Sequence, residues 1–219
     1  MLMYRIVIFD CDGTLMDCSK MITHLYEGYH KLYPDRKALP YEHFIPCYYM
    51  SDRETRAYLH IPPEEQALFQ QVCFGEADDF MSDIVAFDGI LEVMRTLHAY
   101  GIRLGINTSR NREGFALAKQ QLQDVYDLLE EDLIATNDRI AHTKPAPDSL
   151  WFIQKQAHCD VSEILFVGDS INDALCAKAA GCAFAFAKWG AVSDQPVPCD
   201  FILQQPDDLL QVAVRKIKV

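Results

Sequence analysis

The stretch Arg5-Ile6-Val7-Ile8-Phe9-Asp10-Cys11-Asp12-Gly13-Thr14 decides the fold. Its apolar, mostly β-branched run reads as a buried strand. The two carboxylates that follow therefore stand at the strand's carboxyl end, where open α/β sheets place their ligands. Gly13 lets the backbone turn sharply behind them. Taken alone, Asp-x-Asp-Gly has two readings: a ligand-facing pair, or a strand-ending turn with solvated carboxylates.

Working outward, the chain beyond about residue 86 alternates short β-rich runs with amphipathic segments, the pattern of a parallel sheet with crossover helices. Gly89 to Tyr100 carries Ile90, Leu91, Val93, Met94 and Leu97 at helical spacing and is closed by Gly101. Strands are expected at Ile102–Asn107, Leu133–Ala135, Ile164–Gly168, Cys182–Ala187 and Phe201–Leu203. Helices are expected at Glu113–Leu122, Asp148–Ala157, Ser170–Ala180 and Asp207–Lys216, the last with cations in its final turn. Between the first strand and residue 86 the pattern changes. Residues 17–85 are rich in Tyr, His, Glu and Gln, carry five prolines, and show helical spacing in Met21–Leu32 and Arg53–Leu59. The expected fold is α/β: a Rossmann-like three-layer parallel sheet core formed by residues 1–16 and 86–219. A small all-helical domain, residues 17–85, is inserted after the first strand, with linkers near Met16–Ser19 and Asp83–Asp88.

Composition narrows the function. Twenty Lys plus Arg against 32 Asp plus Glu give a formal charge of −12. The mean field repels nucleic acid and anionic lipid, and no cationic run offsets it. No apolar stretch reaches the length of a membrane span, and the N-terminal apolar run ending at Asp10 is too short for the apolar segment of a secretory signal. The eight cysteines include no Cys-x-x-Cys pair, which argues against a zinc knuckle or a dithiol redox site. Reduced thiols and a cytoplasmic location are expected, in a monomer or homodimer without nucleic-acid or membrane partners.

Three further strand ends carry chemistry. Thr108 and Ser109 follow the second strand of the core, where they serve either as ligand-binding hydroxyls or as turn formers. Lys144 precedes Pro145, which favours an extended loop that can project the cation; a plain surface lysine is the bland reading. Gly168-Asp169 follows a third strand, and Asp173 lies one helical turn on, where it serves the site or stabilises a helix start. The conjunction outweighs each part. Carboxylates, a hydroxyl pair, a lone cation and two more carboxylates, in that order at four strand ends, are the components of metal-assisted phosphoryl transfer.

In all four motifs and their order the chain resembles the haloacid dehalogenase superfamily of aspartate-nucleophile hydrolases, in particular helical-cap members such as phosphoglycolate phosphatases and β-phosphoglucomutase. The resemblance runs from residue 4 to about 190. It implies that Asp10 is the nucleophile, forming an aspartyl-phosphate, and that Asp12 is the general acid and base. It further implies that Thr108, Ser109 and Lys144 hold the phosphoryl group, and that Asp10, Asp12 through its carbonyl, Asp169 and Asp173 form the surroundings of a Mg2+ ion. Asp173 would orient a metal-bound water or Lys144. A carboxylate at Asp12 separates ester-cleaving members from dehalogenases and phosphonate-cleaving members. The expected activity is hydrolysis of a small phosphorylated metabolite; a sugar phosphomutase is the alternative, and a noncatalytic binding protein on the same scaffold the third. In the insert, Tyr48-Tyr49-Met50-Ser51-Asp52-Arg53 is the candidate specificity loop. Arg53 either grips a substrate anion or pairs with a nearby acid on a helix surface. Trp189 either lines the cleft or packs in the core.

Overall fold

The computed structural model describes residues 4–50, 52–75 and 84–214. The chain divides into two compact units, Met1–Asp17 with Val85–Val219, and Cys18–Ile84.

In the larger unit, β1 (Ile6–Phe9) is buried at every position. A two-residue strand, β2 (Met16–Asp17), follows, and after the second unit it is met antiparallel by β3 (Val85–Ala86). The boundaries between the units fall within the stretches expected as linkers, Met16–Ser19 and Asp83–Asp88, and the ribbon pairs the two connections. Two residues are too few for a period to register in the sequence, and the pairing is set by tertiary context. Residue 83 and Ser51 of the candidate specificity loop lie outside the described residues, as do the last residues of the expected C-terminal helix. The chain continues through α4 (Ile90–Ala99), β4 (Arg103–Asn107), α5 (Arg112–Gln121), α6 (Gln123–Tyr126), β5 (Ile134–Ala135), α7 (Asp148–Ala157), β6 (Ile164–Gly168), α8 (Ile171–Ala180), β7 (Ala183–Ala187), β8 (Phe201–Leu203) and α9 (Asp208–Ala213).

The six strands β5-β4-β1-β6-β7-β8 form one parallel sheet in that order. β1 sits between β4 and β6, with Phe9 opposite Ile106 on one side and Val167 on the other. The strand order reverses direction at β1, which makes its carboxyl end a topological switch point. The register aligns the strand ends, so Asp10, Thr108 and Asp169 emerge along one edge of the sheet. Strands buried on both faces read as continuous apolar runs, as β6 does: all five of its residues are buried. Ile6, Ile8, Phe166 and Phe184 meet Leu150 and Ile153 of α7 and Ala177 of α8 in one core cluster. All eight cysteines are free thiols. Among the described residues no helix is long and apolar enough to cross a membrane.

The second unit contains α1 (Lys20–Leu32), α2 (Asp52–Tyr58) and α3 (Gln66–Phe74), joined by short 3-10 turns. The third helix was not legible as a period. Its signals are local: Pro62 and Pro63 lead into Glu64 and Glu65, as helix starts favour. α1 and α3 approach closely at Gly28, where a Cβ would come within 2.7 Å of the Cys73 backbone. Tyr29 packs edge-to-face on Phe44 at 5.5 Å.

A 3-10 turn, Lys188–Gly190, follows β7 and presses on the loop after β1. The Trp189 indole donates from Nε1 to the Thr14 carbonyl at 3.1 Å, so this side chain braces the loop. Gly190 lies so near Gly13 that an added Cβ would overlap the Gly13 carbonyl. Because the obstacle is backbone, Gly190→Ala is expected to lower the unfolding free energy by about 1–3 kcal/mol. A fall in the denaturant midpoint would register this; an unchanged midpoint would mean that the turn retreats without cost.

Candidate active site

Asp10 leaves β1 with its backbone N–H donating to the Val167 carbonyl at 2.8 Å, which continues the ladder with β6. Its Oδ1 accepts from the Cys11 N–H at 2.7 Å and faces Lys144 Nζ at 2.7 Å. The loop then closes quickly, with Gly13 N–H donating to the Met16 carbonyl at 2.8 Å. Gly13 has φ 77°, and a Cβ there would run into the Asp169 carboxyl group. Glycine thus meets a conformational and a steric demand at once.

Lys144 lies between β5 and α7, joined to Pro145 by a cis peptide. Its ammonium bridges Asp10 Oδ1 and Asp173 Oδ1, both at 2.7 Å, and its side chain is only 5% exposed. The surface-lysine reading is thereby set aside by the packing. Asp173 makes two sets of contacts. Oδ2 accepts from the Ser170 N–H at 3.1 Å and hydroxyl at 2.5 Å, a capping box at the start of α8, while Oδ1 takes the lysine. Asp169 accepts from the Thr14 hydroxyl at Oδ1, 3.2 Å away. Its Oδ2 is buried with no hydrogen-bond partner.

Asp10, Asp169 and Asp173 are all buried, and each brings a carboxylate oxygen within 4.8 Å of the others. Burial, reinforced by Asp173 and opposed by Lys144, raises the Asp10 pKa to about 7. Asp169 is likewise pushed well above the usual carboxylate range, by burial first and then by Asp173 and Asp10. Burial works against the charged form of Lys144, but Asp10 and Asp173 outweigh it and raise its pKa. One ammonium cannot neutralise three crowded carboxylates. A hard divalent cation, which takes oxygen ligands, fits this donor set and would satisfy the orphaned Asp169 oxygen.

Thr108 is buried at the end of β4, its N–H donating to the Ala135 carbonyl at 3.0 Å. Ser109, next to it, is exposed. Arg110 was not singled out by sequence reasoning. Its guanidinium clasps the Asp12 carboxylate from Nε at 2.8 and 3.2 Å and from Nη2 at 2.6 Å. The available signal was a cation directly after the hydroxyl pair, in Asn107-Thr108-Ser109-Arg110. Arg53 is exposed on α2 of the second unit.

Residues 7–187 match the family model of the haloacid dehalogenase-like hydrolases. Among curated proteins, the pyrophosphatase PpaX of Bacillus velezensis is 25% identical over 221 residues, covering 94% of each chain. Among solved structures, a HAD-superfamily hydrolase of subfamily IA from Geobacter sulfurreducens superposes with TM-score 0.74 at 21% identity, covering 97% of both chains. A HAD family hydrolase from Deinococcus radiodurans, solved with bound phosphate and sodium, has TM-score 0.73 at 20% identity and covers 96% of this chain and 95% of its own. These two establish likeness of fold. With the parallel sheet and the acidic cluster at the end of β1, the family match makes the conclusion plain: the chain belongs to the haloacid dehalogenase-like hydrolases.

Proposed function

We propose that the protein is a Mg2+-dependent phosphatase that hydrolyses a small phosphorylated metabolite through an aspartyl-phosphate on Asp10. The observation that carries this reading is the ammonium of Lys144 held between Asp10 and Asp173, next to the unpartnered oxygen of Asp169. The carboxylates of Asp10 and Asp169 and the carbonyl of Asp12 would hold the ion, with Asp173 behind them. When bound, the ion supplies charge neutralisation for a phosphate dianion beside these carboxylates.

The chain's own residues then divide the work. An Asp10 oxygen bonds to phosphorus as the ester P–O bond breaks, and the departing oxygen keeps the electron pair and takes a proton from Asp12. In the second half-reaction Asp12 takes a proton from water. The water oxygen bonds to phosphorus and the bond to Asp10 breaks, which frees phosphate, restores the Asp10 carboxylate and leaves Asp12 again carrying its proton. Thr108 and Ser109 hold phosphoryl oxygens, and Lys144 offsets the charge that develops on them. Substrate selection is assigned to the helical insert, residues 17–85, acting as a cap, and within it to Arg53. The eight thiols suit work in the cytoplasm.

Phosphate release from sugar phosphates, phosphoglycolate, nucleotides and pyrophosphate, with Mg2+ or with chelator, tests this reading. Conversion of β-glucose 1-phosphate to glucose 6-phosphate without phosphate release would replace it by a mutase. Asp10→Asn is expected to lower kcat by at least about 10³-fold with the fold intact; substantial residual turnover would exclude the covalent route. Asp12→Asn is expected to cost about 10²–10⁴-fold at an unchanged Mg2+ requirement. Asp169→Asn should instead raise the Mg2+ concentration needed for half-maximal rate, and identical metal dependence in the two variants would refute these roles.

Arg53→Ala is expected to raise KM or reorder substrate preference while a small nonspecific ester is still turned over. Unaltered kinetics across the panel would move specificity elsewhere in the insert.

The raised Asp10 pKa also sets a pH dependence. Its folded value, about 7, lies above its ordinary 3.8. The folded metal-free protein therefore binds the extra proton in that window, and this contribution to stability, full below the ordinary value, is lost as pH rises through about 7. Mg2+ binds the ionised cluster, so the rise in Tm on adding Mg2+ is expected to be larger at about pH 8 than at about pH 5. Equal rises would place the ion away from Asp10.

A further inference from the structure

The two cations of the site differ in reach. Lys144 is sealed among carboxylates with its side chain 5% exposed, whereas Arg110 and its partner Asp12 retain side-chain exposures of 20% and 34%. Arg110 is placed from both ends. Its backbone N–H donates to Thr108 Oγ1 at 3.1 Å, and its Nη1 reaches the Gly114 carbonyl at 3.4 Å at the start of α5. The guanidinium therefore stands beside the phosphoryl-holding threonine and against the carboxylate assigned to the leaving oxygen. A planar guanidinium presents five donors in a fixed fork, so it can hold one carboxylate and also meet a second anion of matching geometry.

Building on the phosphatase reading, we infer that Arg110 is a specificity-determining contact for the leaving group, favouring substrates whose leaving group is itself an anion, either a carboxylate or a second phosphate. On binding, the guanidinium shifts part of its hydrogen bonding from Asp12 to that anion, next to the oxygen that Asp12 protonates. A neutral leaving group offers no such partner and leaves Arg110 on Asp12. The charge pattern agrees: Lys144 is already committed to two carboxylates, so an additional anion is met by Arg110, the more exposed of the two cations.

The test compares matched substrates on the full-length protein with saturating Mg2+. Phosphoglycolate and pyrophosphate carry the anion, as carboxylate and as phosphate; 2-hydroxyethyl phosphate is of similar size with a neutral end. For Arg110→Ala, KM for phosphoglycolate, pyrophosphate or both is expected to rise by about 10- to 100-fold, as loss of a charge-assisted contact implies. The kcat/KM preference over 2-hydroxyethyl phosphate should fall by a similar factor. Arg110→Lys, which keeps the charge but not the planar fork, should restore part of the preference, and thermal melts of both variants check folding. Which anionic substrate is affected distinguishes a carboxylate site from a phosphate site. An equal loss for charged and neutral leaving groups would overturn the subsite while leaving the phosphatase reading in place. Absence of Mg2+-dependent release from every ester by the unaltered protein would overturn both.

Discussion

The contact of Lys144 with Asp10 and Asp173 is the constraint on which the site depends. Three buried carboxylates are crowded together at the end of β1 and β6, and their mutual repulsion would drive them apart or protonate them. A single buried ammonium holds two of them at 2.7 Å. Breaking such a buried arrangement by removing one partner typically costs about 3–5 kcal/mol, because the charges left behind are neither solvated nor paired. The sheet absorbs this electrostatic load. β1 is clamped by parallel ladders on both flanks, so its end cannot splay to relieve the repulsion.

The same clamping explains how much could be read from the sequence. Central strands such as Ile164–Gly168 are buried on both sides, and helices such as Asp148–Ala157 face one core; each leaves a period in the residues. The positions of Asp10, Thr108 and Asp169 at strand ends were legible because the strands before them were. Elements held by a partner remote in sequence left no such trace. The ribbon of Met16–Asp17 with Val85–Ala86 exists through pairing across the whole insert. The helix Gln66–Phe74 is short, and its start is marked by Pro-Pro-Glu-Glu more than by periodicity.

Side-chain partnerships were the least visible level. Sequence order placed Asp12 and Arg110 in separate motifs, and only the adjacency of β1 and β4 brings them together. The brace from Trp189 to the Thr14 carbonyl is of the same kind, joining the turn after β7 to the loop after β1. In both cases the partner is remote in sequence, and the sheet brings the two together.

Asp173 shows where such economy leads. One of its oxygens completes the capping box that starts α8, and the other fixes the lysine. Replacing Asp173 would remove the lysine contact and the carboxylate half of the helix cap together. Selection for thermal robustness alone would therefore preserve this carboxylate through periods when catalysis itself is under little scrutiny. This one carboxylate can thus outlast the usefulness of its neighbours, and its presence in a distant descendant would be as much a record of helix stability as of activity.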